Sequence, residues 1–116
     1  MKLTSEQLFS WFNDRVYPMV SWVLVHFVLG ACFVMAYGIA GHGSGIPLFI
    51  ISVAETLGVL LFVMSTIDDM KRLSEDMAED FRSTRFGSSF VGFGVFALIF
   101  SILIIAVPVA HGLLFL

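Results

Sequence analysis

From Met19 to Ile67 the chain carries a single formally charged residue, Glu55. That scarcity constrains the fold more than any motif does. A helix rises about 1.5 Å per residue, so about 20 apolar residues are needed to cross about 30 Å of hydrocarbon. Three stretches meet the requirement: about Met19 to Ala40, Ile46 to Ile67 and Ser88 to Leu114. Composition points the same way. The chain is 59% hydrophobic and 13% charged, with a mean hydropathy of +0.99, whereas soluble domains carry roughly 25% charged residues. A surface this poor in charge is not a water-facing one. The expected fold is an all-α membrane protein with three transmembrane helices, forming one membrane domain over residues 1–116.

The connections differ in kind. "GHGSG", residues 41–45, followed by Pro47, ends one helix and opens the next in a tight turn, so the first two spans should form an antiparallel hairpin. The segment 68–87 is long and charged, with six acids (Asp68, Asp69, Glu75, Asp76, Glu79, Asp80) against four bases (Lys71, Arg72, Arg82, Arg85). Met70, Leu73, Met77 and Phe81 recur in it at steps of three and four, one helical face. The second span should therefore continue as a helix into water. Its charges suit a solvated face, and its apolar stripe is a candidate for docking a partner subunit. At the other end, residues 1–17 read as an amphipathic interfacial helix. Thr4 and Gln7 form a candidate capping box, Leu8, Phe9, Phe12 and Val16 an apolar face, and Pro18 a break before the first span. Trp11, Tyr17 and Trp22 are placed to lie at the headgroups.

Lysine and arginine number six, and three spans put all of them on one side, with Gly41 to Gly45 and the C-terminus opposite. Positive residues stay inside. The N-terminus and the 68–87 segment are thus expected in the cytoplasm and the C-terminus outside, in a multi-pass protein of the inner (cytoplasmic) membrane. The opening residues mix Glu6 and Asp14 with Lys2 and Arg15 and lead to no Ala-x-Ala-like site, the pattern of a retained segment. A net charge of −3 disfavours nucleic acid, and one cysteine, Cys32, allows neither an internal disulfide nor a cysteine metal cluster. Cys32 reads as a small packing residue.

Glu55 is the residue most in need of a reason. An ionised acid at mid-membrane costs roughly 2.5 to 3.5 kcal/mol on translocon scales, so Glu55 should face protein, neutral and hydrogen-bonded, on a stripe with Ser52, Gly58 and Thr66. His26, on the neighbouring helix of the hairpin, is its candidate partner, as structural glue or as a proton-handling pair. In the third span Ser88, Gly92, Gly94, Ala97 and Ser101 form small faces suited to close helix packing. Pro108 should bend that span near Ile104, whose carbonyl loses its donor. His42 and His111, placed near the outer surface, are weak candidates for a metal site. Catalytic zinc needs three protein ligands and structural zinc four, and no third ligand is evident.

The chain resembles holins in span number, but it ends in "HGLLFL" rather than a charged tail. Its second and third spans resemble conjugative pilins, but the segment joining them is long and acidic. Haem-anchoring subunits of succinate dehydrogenase are similar in size, but they ask for a histidine within the second span. No nucleophile–base pair or cofactor motif is present, so neither an enzyme nor a cofactor is expected. The function these features favour is a small non-catalytic structural or assembly subunit of a larger inner-membrane complex, energy-transducing or secretory, whose partners are lipid and other membrane subunits. The alternatives are a proton- or ion-conducting homo-oligomer using Glu55, and a pilin-like or holin-like self-assembling protein.

Overall fold

The computed structural model describes residues 4–75, 83 and 93–116. They form α1 (Ser5–Ala40), a single 3₁₀ turn (His42–Ser44), α2 (Gly45–Glu75) and α3 (Phe93–Phe115). All three α-helices are long and apolar enough to cross a membrane, and the chain is a multi-pass membrane protein. Its exposure pattern inverts that of a soluble bundle. Leu24, Val28, Met35, Ile39, Leu61, Leu98, Ile102 and Leu113 all point outward, into what must be lipid, because water would not tolerate so much apolar surface.

α1 starts where the Thr4–Gln7 spacing places it. The Gln7 backbone N–H donates to the Thr4 hydroxyl at 3.2 Å, and the Thr4 N–H donates to the Gln7 side-chain oxygen at 3.1 Å. The reciprocal cap satisfies two of the helix's orphan donors. At the other end Gly41 adopts φ 84 and its N–H closes on the Tyr37 carbonyl at 2.8 Å. Only glycine takes this backbone without strain.

Pro18 does not break the helix. It lies inside α1, so the interfacial helix expected over 1–17 is the opening part of one continuous helix of 36 residues, about 54 Å long at 1.5 Å per residue. The proline removes the donor for the Asp14 carbonyl, but Asp14 is exposed and needs no internal replacement. Packing holds the helix together on either side. Phe12 and Val16 lie against a buried cluster that includes Met19, Ile67 and Met70, and Arg15 Nε meets Asp69 Oδ2 at 3.4 Å. The opening turns of α1 therefore run beside the closing turns of α2.

That arrangement changes the reading of the 68–87 stripe. α2 does continue as a helix beyond Ile67, to Glu75. Met70 and Leu73, however, are buried, and Met70 belongs to the chain's own core. They are covered from within and are not free to dock a partner. Met77 and Phe81 lie outside the described residues.

One seam of buried and half-buried positions runs along every helix, flanked by further ones such as Leu8, Leu29, Ile67 and Phe100. On α1 the seam positions are Val16, Met19, Val23, His26, Gly30, Phe33 and Tyr37. On α2 they are Phe49, Ser52, Thr56, Val59, Val63, Thr66, Met70 and Leu73. On α3 they are Ala97, Ser101, Ile104, Pro108, His111 and Phe115. Along this seam steps of three and four alternate, the spacing of a knobs-into-holes contact. α2 runs antiparallel to both neighbours, and α1 runs parallel to α3.

The small-residue face expected on α3 divides. Ala97 packs against the core cluster, and the half-buried Ser101 donates to the Ala97 carbonyl at 2.7 Å and reaches Met64 Sδ at 3.8 Å. Gly94 is exposed, and among the described residues nothing lies near the place a Cβ would occupy. Ser88 and Gly92 lie outside the described residues. The close approaches fall elsewhere. A Cβ on Gly30 would come within 2.8 Å of Val107, and one on Gly45 would collide with the Phe115 carbonyl oxygen.

Candidate functional site

His26 is fully buried on the α1 seam and joins all three helices. Its Nδ1 lies 2.6 Å from Glu55 Oε2 on α2, and its Nε2 lies 2.9 Å from the Ile104 carbonyl oxygen on α3. That carbonyl is available because of Pro108. Residue 108 would ordinarily donate its N–H to Ile104 four residues back, and proline has none. A carbonyl can only accept, so Nε2 carries a hydrogen and donates it. One further hydrogen then lies between Nδ1 and Oε2, since two bare acceptors would not approach to 2.6 Å. The pair shares a single proton. It is neutral overall whether that proton rests on the carboxyl or on the imidazole. Such neutrality is what hydrocarbon demands.

The span boundaries inferred from hydropathy place His26 and Glu55 at unequal depths, yet they meet. The α1–α2 register sets Arg15 beside Asp69 and Trp22 beside Phe62, with ring centroids 6.3 Å apart. This register brings the start of the first span level with the close of the second, and the two side chains bridge what offset is left.

A second tier repeats the pattern about one turn away. His111 on α3 has Nε2 at 2.9 Å from the Gly30 carbonyl oxygen on α1 and Nδ1 at 2.6 Å from the Ser52 hydroxyl on α2. By the same reasoning Nε2 donates to the carbonyl and the Ser52 hydroxyl donates to Nδ1. Thr56 donates to the Ser52 carbonyl at 2.8 Å. His111 is therefore a buried core histidine and not the surface residue its place near the C-terminus suggests. Phe115 stacks on it with centroids 4.9 Å apart, and Tyr37 stacks on Phe115 at 4.8 Å. The Tyr37 hydroxyl shares a 2.6 Å hydrogen bond with Nδ1 of the exposed His42, so a run of contacts leads from the tier to the turn.

Among the described residues no group of three or more His, Cys, Asp or Glu could hold a metal ion. His42 and His111 are not brought together as ligands, because each has its own partner. Cys32 is exposed rather than packed. Of the small and polar stripe on α2, Ser52 and Thr66 are buried, while Gly58 opens onto space. Sequence reasoning missed Thr56, the Gly30 carbonyl and the inward role of His111. The signal for all three was their place on the three-and-four seam.

The tiers are not equally closed. Glu55 keeps 19% of its side chain exposed, and among the described residues only its Oε2 has a partner. It lines a cleft of about 450 Å³ between α1 and α2, on the side away from α3, together with Trp22, Leu29, Gly58, Val59 and Phe62. A second cleft, of about 440 Å³ between α2 and α3, is lined by Phe49, Val53, Pro108, Val109, Gly112 and Leu113 and offers no charged or hydroxyl side chain. No protein-family model matches the chain, nor does any curated protein or any solved structure.

Proposed function

We propose that the chain is a small, non-catalytic structural subunit of a larger membrane assembly, a three-helix unit whose register is fastened by two buried histidines. One observation carries this reading: both ring nitrogens of His26 and of His111 are committed to bonds with the other two helices. Four such bonds at about 0.6 kcal/mol each, the average for membrane hydrogen bonds, contribute about 2 to 3 kcal/mol. That suffices to select one register among apolar helices that lipid does not otherwise discriminate. In the orientation this proposal adopts, the basic N-terminal end faces the cytoplasm and the chain sits in the inner membrane. Extraction in mild detergent followed by native mass analysis tests the assembly. Unlike subunits at a fixed ratio are expected, and a ring of identical chains would refute the reading.

Proton or ion handling by Glu55 is the second reading. It is favoured by the 2.6 Å bond of the His26–Glu55 pair and by the cleft beside it. Glu55→Gln separates the two. Glutamine can donate to Nδ1 and keep the bond, so a structural role survives the substitution. A proton-handling role would leave an assembled but inactive complex.

A further inference from the structure

We infer that the cleft between α1 and α2 is a binding site for a lipophilic organic cation, held by the Glu55 carboxylate and the faces of Trp22 and Phe62. The cleft encloses about 450 Å³, within the 300–1,000 Å³ range of small-molecule sites. Its lining is apolar and aromatic except for Glu55, whose Oε2 alone is bonded among the described residues. Desolvated aromatic faces attract cations, and a carboxylate beside them adds charge complementarity. Gly58 keeps the cleft open, for a Cβ there would meet nothing within 4 Å. The cleft between α2 and α3 is of similar volume but has no acid, and it suits an acyl chain.

The occupant is a small molecule and not a second copy of the chain. A second copy could not supply the cation, because neither residues 19–67 nor residues 88–114 contain a lysine or arginine. Charge balance fixes the exchange. His26 Nε2–H remains bonded to the Ile104 carbonyl, and the one proton between Nδ1 and Oε2 is released to water as the cation arrives. One positive charge enters and one leaves, so the cleft keeps its net charge. With that proton gone, Nδ1 and Oε2 are both acceptors, and Glu55 turns from His26 toward the ligand. Among the described residues, the titratable group bonded to Glu55 is His26 on α1, and the titratable side chain on α3 is His111, which is bonded to Gly30 and Ser52.

The test uses the full chain in phosphatidylcholine nanodiscs. Of the two tryptophans, Trp11 is replaced by Phe so that Trp22 reports alone. Titration with tetraphenylphosphonium should quench Trp22 saturably and release one proton per cation bound, read by a pH indicator in weak buffer. Gly58→Leu fills the cleft while leaving both members of the His26–Glu55 pair in the sequence, and it should weaken binding about tenfold or more, with the helical melting temperature retained. Glu55→Gln should weaken it to a similar degree, and the neutral triphenylphosphine oxide should not saturate. Linear quenching that Gly58→Leu leaves unchanged would show simple partitioning into lipid and overturn the inference. So would equal affinity for the neutral compound, or binding that Glu55→Gln leaves intact.

Discussion

Replacing His26 by alanine should be costly, and replacing Pro108 by alanine should recover part of the cost. His26 donates to the Ile104 carbonyl at 2.9 Å and is bonded to Glu55 at 2.6 Å. His26→Ala deletes two interhelical bonds, worth about 0.6 to 1.7 kcal/mol each in membranes. It also strands the Ile104 carbonyl, because Pro108 offers no N–H, and an unsatisfied buried acceptor costs about 1 to 3 kcal/mol. The expected loss is about 2 to 6 kcal/mol. Pro108→Ala supplies the missing N–H from within α3. In the His26→Ala background it should therefore stabilise more than it does in the wild-type chain, by the stranding cost of about 1 to 3 kcal/mol. Helix propensity and any change in bend are common to both backgrounds and cancel in the cycle. The four chains are compared by reversible unfolding in mixed micelles. If Pro108→Ala has the same effect in both backgrounds, within about 0.5 kcal/mol, the carbonyl was never stranded and the coupling proposed here is wrong.

His111→Ala should cost less than His26→Ala in the same assay, by about 1 kcal/mol or more. Gly30 lies in an unbroken stretch of α1 and keeps its own helical donor, and the Ser52 hydroxyl can turn to a backbone carbonyl of its own helix. An equal loss would contradict that assignment. Gly45→Ala drives a methyl into the Phe115 carbonyl and should destabilise by about 1 to 3 kcal/mol, whereas Gly94→Leu, with open space around it, should leave the melting of the isolated chain unchanged. The reverse order would mean the α2–α3 contact is misplaced. Arg15→Ala should cost under about 1 kcal/mol, since its partner Asp69 is 44% exposed and solvent screens such pairs. Cysteines at Ser44 and Ser83, in a Cys32→Ser background, should react from opposite faces of sealed vesicles. Reaction from one face would exclude three spans.

The spans, the hairpin turn and the His26–Glu55 pair were legible because each depends on local or pairwise chemistry: apolar length, a glycine at a turn, and two lone polar groups on adjacent helices. The freed Ile104 carbonyl was legible too, since proline's lack of an N–H is a property of sequence. What bonds to that carbonyl was not, because it requires knowing that α3 lies against α1. Pro18 misled for a related reason. A proline's local penalty argues for a break, but Phe12, Val16 and Met19 pack along one line on either side of it, and the packing prevails. Met70 and Leu73 form the helical face that their spacing announces, yet spacing cannot say whether a face meets a partner or the chain's own N-terminal turns. Gly94 shows the same limit, since a small residue permits close approach without requiring it.

In lipid this limit has a physical origin. Water drives apolar stripes inward, so in a soluble bundle the stripe itself discloses the core. Here Leu24, Ile102 and Leu113 face outward as readily as Val63 and Ile104 face inward, because acyl chains and leucine are equally apolar. The bundle's register has to come from groups that lipid cannot satisfy. On α1 this is His26, on α2 Ser52 and Glu55, and on α3 His111 and the carbonyl exposed by Pro108. Nearly all of them fall on the three-and-four seam, and a seam drawn through the polar residues alone would have placed His111 inside. Glu55 is the exception. It sits one step off that line, half committed to His26 and half turned to the α1–α2 cleft. A residue needed only to fasten helices could occupy the seam itself, as Ser52 does. The offset position of Glu55 is the reason to look for a ligand there.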